Sequence, residues 1–469
     1  MKDIIKIAWR NLWRNRRRTI ITASSIFFAV FFAVVMRSFQ IGTYDHMIKL
    51  SIESYLGYLQ IQNPDYFDDP SIDNVFEFST EMLEEITAID NVKVAVPRIE
   101  TFALASTGML SKGVVLTGIS PEKEKKMSNP EHKLIQYAIS DQSIEHLQQK
   151  INADLIERLK IHNHASFTSA EKLATELNLQ TKDSIILQTV LNETLIPSKY
   201  LSEHDDGVLI SDRLSKYLKL SIGDTIILIG QGYQGSSAAG IYPVRGIVKM
   251  PSPDLDNKLI YMTIDNINTF LGLSGQLTAI AINLDNTDKM QETETILKQT
   301  FENTKTSVKN WEILSPILKQ QIEGDSISGI MFLVILYVII FFGIFGTVLM
   351  MISERMREFG VMVAIGMKRF RLALVVVIEM LFLGLIGILS GMLASIPVIL
   401  YGYYFPVKLT GSMRDMMLEM GIDPVLPFAW FDGYLFMQGL VVFCMILVVC
   451  IYPLRVILKL NAIEAIRGK

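Results

Sequence analysis

Four apolar runs divide this chain and leave little freedom in its architecture: 19–36, 327–352, 372–403 and about 433–453. A helix needs roughly 20 apolar residues to cross a bilayer, so each run reads as a membrane span. The first run is short enough to raise the question of a signal peptide. No small-x-small cleavage site follows it, and Phe39, Ile41 and Tyr44 continue the apolar pattern, so a retained span is the better reading. The third run is long enough to tilt or project, with Pro397 inside it as a candidate kink.

Basic residues orient the spans. Lys2, Lys6, Arg10, Arg14, Arg16, Arg17 and Arg18 precede the first run. Arg355, Arg357, Lys368, Arg369 and Arg371 lie between the second and third, and Arg455, Lys459, Arg467 and Lys469 follow the fourth. All three groups fall on one side of a four-span path, which the positive-inside rule makes cytoplasmic. The other side receives 41–326 and a short loop, 405–432. The large segment has 25 basic and 39 acidic residues, a balance of 25 − 39 = −14. An acidic outer domain argues against a nucleic-acid partner, which wants clustered Lys and Arg. The basic inner face suits anionic lipid headgroups.

The expected fold class is therefore an α-helical four-span membrane protein with a large mixed α+β extracytoplasmic domain. In 54–118, short β-rich runs are broken by Pro and Gly. From 212 on, the pattern predicts a helix at 212–220 and strands at 222–230, 242–250, 258–264 and 277–284. Helices are predicted at 264–271 and 289–301. Between these parts, 140–206 is rich in Gln, Lys, Glu, His and Asn, with helices predicted near 143–159 and 169–177. It reads as an inserted helical subdomain. The two cysteines, Cys444 and Cys450, both fall in the fourth run, so the outer domain folds without disulfides.

At the cytoplasmic edge, Ile5, Ala8, Trp9, Leu12 and Trp13 recur at helical spacing, with Lys2, Lys6, Arg10 and Arg14 opposite or flanking. This is the pattern of an interfacial helix over 1–18, with Trp9 and Trp13 at headgroup depth and Arg10 and Arg14 toward phosphate. The segment 353–371 has its own stripe: Met356, Phe359, Val363, Met367 and Phe370. Gly360 and Gly366 permit close approach or a bend. A helix of this kind suits a groove on a partner protein.

The same segment, SERMREFGVMVAIGMKRFR, resembles the cytoplasmic coupling segment of ABC-transporter permeases of the FtsX/MacB/Lol type. The resemblance rests on Glu354, Arg355, Arg357, Glu358, Phe359, Gly360, Val361, Ala364, Ile365 and Gly366. It widens to the order of parts: amphipathic helix, span (19–40), outer domain (41–326), span (327–352), coupling loop (353–371), span (372–404), short loop (405–432), span (433–453) and basic tail (454–469). VPRIE, GVVLTGISPEKE, GVLISDRLSKYLKLSIGDTIIL and YPLRVILKLNAIEAIRG are similar to the LolC/LolE branch. The resemblance implies a MacB-like periplasmic core with an inserted subdomain in the inner membrane. It also implies a second permease protomer, in a homodimer or a related heterodimer, with two copies of a cytoplasmic ABC ATPase subunit. A periplasmic carrier or adaptor is a further partner of such systems. In the Lol branch the carrier meets a projecting hairpin, whose counterpart here is 231–243, QGYQGSSAAGIYP, Gly- and Ser-rich and shorter. On this resemblance Glu354, Arg355, Arg357, Glu358, Phe359, Gly360, Ala364 and Gly366 are the ATPase-coupling residues.

The sequence has no G-x-x-x-x-G-K-[ST] phosphate loop, so ATP and Mg are expected in the partner ATPase and no cofactor in this chain. That separates the chain from MacB, whose ATPase is fused, and sets it beside LolC, LolE and FtsX. No H-E-x-x-H or G-x-S-x-G points to catalysis, and the His162–His164 pair lacks a third metal ligand. Asp68–Asp69 and Asp205–Asp206 sit beside Pro or Gly and read as turns. Within the third span, Glu379 calls for a protein, water or basic partner near the cytoplasmic edge, where it either transmits motion or makes a structural contact. Gly387, Gly391 and Ser395 form a small-residue row suited to close helix packing. Three functions stay open: ATP-driven release or transport of lipoproteins, a MacB-like permease of a tripartite export system, and an FtsX-like scaffold that activates a cell-wall hydrolase.

Overall fold

The computed structural model describes residues 2–14, 16–179, 184–419, 424–461 and 465. Arg467 and Lys469 of the basic tail lie outside the described residues, as do 180–183 and 420–423. The chain divides into two units. One combines Met1–His46, Ile317–Thr410 and Val425–Lys469; the other combines Met47–Pro316 and Gly411–Pro424.

The first unit is helical: α1 (Lys2–Arg14), α2 (Arg16–Ile48), α3 (Pro316–Ala364), α4 (Arg369–Tyr404) and α5 (Tyr434–Leu458). Helices α2 to α5 are each long and apolar enough to cross a membrane. Their shared core includes Val30, Val34, Ile352, Phe359, Val376 and Ile446. Outside that core, Ile335, Ile339 and Phe342 of α3 stay exposed, an arrangement that suits an apolar solvent better than water.

Helix α3 is 49 residues long, so the second apolar run and most of the polar segment after it are one continuous helix. Nothing between 316 and 364 breaks it, because its only proline stands at the first position, where no backbone donor is needed. It ends in a Schellman motif. Gly366 adopts φ +108°, its N–H bonds to the Val363 carbonyl at 3.1 Å, and the Met367 N–H bonds to the Met362 carbonyl at 3.0 Å. Helix α4 starts three residues later, so α3 and α4 form a tight helical hairpin. Pro397 lies inside the continuous α4.

The small-residue row of α4 faces α2. A Cβ on Gly387 would sit 2.6 Å from Ile26, and one on Gly391 would sit 2.7 Å from the Phe27 carbonyl oxygen. Ser395 is fully buried and its hydroxyl donates to the Met392 carbonyl at 2.8 Å.

The second unit is built on a sheet with nine strands among the described residues: β1 (Leu59–Gln62), β2 (Val92–Ser106), β3 (Ser111–Ile119), β4 (Val208–Ser211), β5 (Thr225–Gln231), β6 (Ser237–Val248), β7 (Leu259–Thr263), β8 (Ala279–Leu284) and β9 (Ser307–Asn310). The order is β9-β1-β8-β2-β3-β7-β4-β6-β5, and β5 pairs back onto β2. The long β2 makes this closure: Val92–Arg98 pair with β8, and Ala103–Ser106 pair with β5. Strands β2, β3, β7, β4, β6 and β5 thus close into a ring, with β8, β1 and β9 as a flap. Two pairings, β3–β7 and β4–β6, are parallel; the rest are antiparallel.

Helix α2 continues into a π-helical segment, Lys49–Leu56, whose end is held by a buried polar cluster. Arg98 is fully buried, bonds to Glu124 at 2.6 and 3.2 Å, and donates to the Tyr55 carbonyl. The Tyr55 hydroxyl meets Thr117 at 2.9 Å. The segment between β3 and β4 carries its own core of Leu147, Leu159, Leu173, Leu177 and Val190. The helix predicted at 143–159 is two helices, Asp141–Leu147 and Ala153–Ile161, because Asn152 caps a new start by accepting from the Leu155 N–H. A further helix, Ser184–Thr194, had no prediction. The segment 231–243 forms the tip of a hairpin and its outgoing strand: Gln231 pairs with Ser237, and a short turn joins β5 to β6.

Candidate functional site

Several of the charged residues singled out in the sequence meet within the α3–α4 hairpin, beside helix α1. Arg355 of α3 and Glu379 of α4 form a buried ion pair, one guanidinium nitrogen standing 2.8 Å from both carboxylate oxygens. The two side chains are 11% and 5% exposed. Arg355 also lies over the Phe359 ring, 5.3 Å from its centre, and 3.7 Å from Glu358. Glu358 in turn accepts from Arg14 of α1 at 2.6 Å. A ladder of alternating charge, Arg14–Glu358–Arg355–Glu379, therefore joins three helices. A cavity of about 230 Å³ opens beside it, lined by Asn11, Thr19, Met351, Glu354 and Leu383 together with the ladder.

Helix α1 uses two faces. Ala8 and Leu12 are buried, while Ile5, Ile7, Trp9 and Trp13 stay about half exposed. Trp9 meets Phe382 of α4 edge-on at 5.5 Å and Trp13 at 6.1 Å. Arg10 points to solvent. The apolar stripe read from the sequence is thus split between a protein-packed edge and an open one.

The stripe predicted for 353–371 also falls differently. Phe359 and Gly360 are buried, and Met356, Val363 and Met367 pack on the same core. Nearby helices of the same chain claim that stripe, as the closest apolar partners available. The open surface at the hairpin tip is a second set: Val361, Ala364, Ile365 at 82% and Phe370 at 64% exposure. Arg357, Lys368, Arg369 and Arg371, near it along the chain, are exposed, as is Glu354. Phe370 was read as part of the inward stripe but lies open, beside Val361, Ala364 and Ile365, because periodicity along a helix cannot say which apolar side chains its own neighbours cover.

Between α2 and α3 lies an almost wholly apolar cavity of about 590 Å³, lined by Phe32, Phe39, Phe332, Ile335, Ile339 and Phe428 among others. The histidines draw apart: His162 approaches Glu176 and His164 approaches Asp141, each at 4.0 Å. Asp205 and Asp206 both pair with Arg245, Asp205 at 2.9 Å. Among the described residues no cluster has the ligands for a metal ion.

Residues 330–462, which hold most of α3, all of α4 and α5, match the FtsX family, described as FtsX-like permease C-terminal. No match is found among curated proteins. Two solved structures are similar. One is the extracellular domain of the noncanonic ABC-type transporter YknZ from Gram-positive bacteria, at 12% identity and a TM-score of 0.28, covering 54% of this chain and 99% of that one. The other is the periplasmic region of MacB from Actinobacillus actinomycetemcomitans, at 12% identity and a TM-score of 0.29, covering 58% and 94%.

Proposed function

We propose that this chain, which carries an FtsX-like permease domain at residues 330–462, is the membrane subunit of an ABC transporter. The tip of the α3–α4 hairpin is the docking point for a separate cytoplasmic ATPase. The observation that carries this is the exposed apolar set Val361, Ile365 and Phe370, accompanied along the chain by the exposed cations Arg357, Lys368, Arg369 and Arg371. A soluble surface would seldom leave such side chains uncovered at a helical turn.

The coupling residues then divide their work. Arg357 and Ala364 belong to the contact surface, with Glu354 at its edge. Gly366 shapes the turn. Arg355, Glu358, Phe359 and Gly360 carry displacement inward, through the charge ladder to α1 and α4. ATP and Mg belong to the partner. The basic N-terminal helix and hairpin tip lie on the cytoplasmic side of the inner membrane, and Met47–Pro316 lies in the periplasm. Two permease protomers and two ATPases complete the assembly, with a carrier or adaptor as a further partner.

The cargo in this reading is a lipoprotein or another envelope amphiphile. The apolar cavity between α2 and α3 supports it, because a volume lined by Phe and Ile takes acyl chains and rejects charge.

Affinity purification of the full chain from its own membranes tests the docking. An ABC ATPase should accompany it, and Ile365→Asp should lose the ATPase without changing thermal unfolding. A chain that purifies alone, or an Ile365→Asp variant that keeps the ATPase, overturns the reading. The cargo part fails if Ile335→Trp, which fills the cavity, leaves lipoprotein release unchanged. An export defect or a loss of hydrolase activation in its place would favour the MacB-like or FtsX-like alternative.

A further inference from the structure

The ring of strands in the second unit turns one uncharged face outward. Register places Phe102 opposite Val115, Leu104 opposite both Gly113 and Ile229, and Ile227 opposite Ile241. Side chains alternate across a sheet, so positions 102–106 of β2, 111–115 of β3, 225–231 of β5 and 237–243 of β6, taken by twos, share this face. None of those positions is Asp, Glu, Lys or Arg, although 20% of the chain is charged. The opposite face, with Ala103, Ala105, Ile226 and Leu228, is buried inside the ring. On the outward face Phe102 is 64% exposed, Leu104 44%, Ile229 47% and Ile241 67%. The paired strands bring these side chains together as one exposed apolar patch, and such patches are often functional.

We infer that this face packs against the same face of a second copy of the chain, sheet on sheet. Three observations select that occupant. The segment 41–326 carries a balance of −14, so two copies repel over an ordinary part of their surface. A two-fold contact sets a patch against itself, and any charge near the axis would meet its own sign. The uncharged face avoids both penalties. The patch is also broad and lies on adjacent paired strands, the shape that stacks on another sheet at about 10 Å spacing. Gly113 and Ala239, which flank Leu104 and Ile229 on the outer strands of the face, allow close approach.

The inference rests on the two-copy assembly proposed above, and one experiment separates their failures. Cys444 and Cys450 are replaced by Ala in the full chain, purified in lipid nanodiscs. Leu104→Cys and Ile229→Cys are then oxidised beside Glu145→Cys, an exposed position outside the patch. The expected result is a several-fold excess of disulfide-linked dimer at positions 104 and 229, lost when Ile241→Asp is added. A dimeric mass without that excess overturns the proposed face and leaves the two-copy assembly standing. A monomeric mass overturns both. Equal cross-linking at position 145 marks random collision and also overturns the face. The same oxidation in whole membranes gives the last outcome: cross-links to a different envelope protein would falsify the second copy as occupant.

Discussion

Arg355 and Glu379 stand twelve residues to either side of Met367 and meet across the α3–α4 hairpin at 2.8 Å. The hairpin geometry itself brings them level, because two antiparallel helices rise equally from a shared turn. Glu379 is thereby neutralised where a lone carboxylate would be costly.

Removing one member of this pair leaves a buried charge without compensation. Glu379→Ala and Arg355→Ala should each cost about 3–5 kcal/mol. The double change Arg355→Met with Glu379→Met should recover most of that loss. Thermal unfolding in detergent across the four-variant cycle measures it, and an additive cycle would show that the two side chains act independently. If the pair also relays motion, Glu379→Gln should uncouple ATP hydrolysis from transport; unchanged coupling makes the pair structural only.

The outer rung of the ladder behaves differently. Arg14 and Glu358 are more than half exposed, so water competes for both. Arg14→Ala should change stability by only about 0–1 kcal/mol, and salt should erase the effect. Its place in coupling is read from ATPase activity at low and high salt, not from unfolding.

Gly366 closes α3 with φ +108°, a conformation that side chains with a Cβ resist. Gly366→Ala should cost about 1–2 kcal/mol. It should also weaken ATPase association by reorienting the tip, although no contact atom is lost. Unaltered association in pull-down would show that the tip tolerates a different turn.

Gly391 has a stricter neighbour. The oxygen that a Cβ would meet belongs to the α2 backbone at Phe27, which cannot rotate away. Gly391→Leu should force α4 from α2 and lower the melting temperature by the equivalent of about 1–3 kcal/mol or more. An unchanged melting temperature would mean that these helices can separate freely.

In the sheet unit, burial pushes the Asp256 carboxyl up to about 6 from an ordinary 3.8, against the Met250 N–H that it accepts. The folded state therefore holds this proton more tightly than the unfolded chain does. Its contribution to stability is full below about pH 4 and is lost as pH rises to about 6. Asp256→Asn, which still accepts from Met250, should flatten that part of the curve. Unfolding midpoints of both chains at pH 4, 5 and 6 check the difference.

The four long apolar helices, the amphipathic start and most strands of the sheet unit were legible as patterns, because each depends on neighbours along the chain. Helix Ile264–Leu271 coincides with its prediction, and Ala279–Leu284 and Leu259–Thr263 fall inside theirs. The break at Asn152 was legible in principle, since an Asn followed by Ala-Asp is a common helix start. Closure of β2 onto β5 was not, because a strand carries no mark of which distant edge it meets. The stripe of 353–371 shows the same limit: Met356, Phe359, Val363 and Met367 found this chain's own core, while Phe370 stayed open.

Sequence alone determined that the chain has four apolar stretches of membrane length, one large acidic segment between the first two, and basic residues beside their ends. Those follow from local composition, since bilayer crossing and charge bias are summed residue by residue. Tertiary structure decided which surfaces remain for others. It paired Glu379 with Arg355, turned Phe359 inward and Ile365 outward, and left Phe102, Leu104, Ile229 and Ile241 bare on a closed ring. A side chain's freedom depends on what packs over it, and the packing elements come from distant parts of the chain.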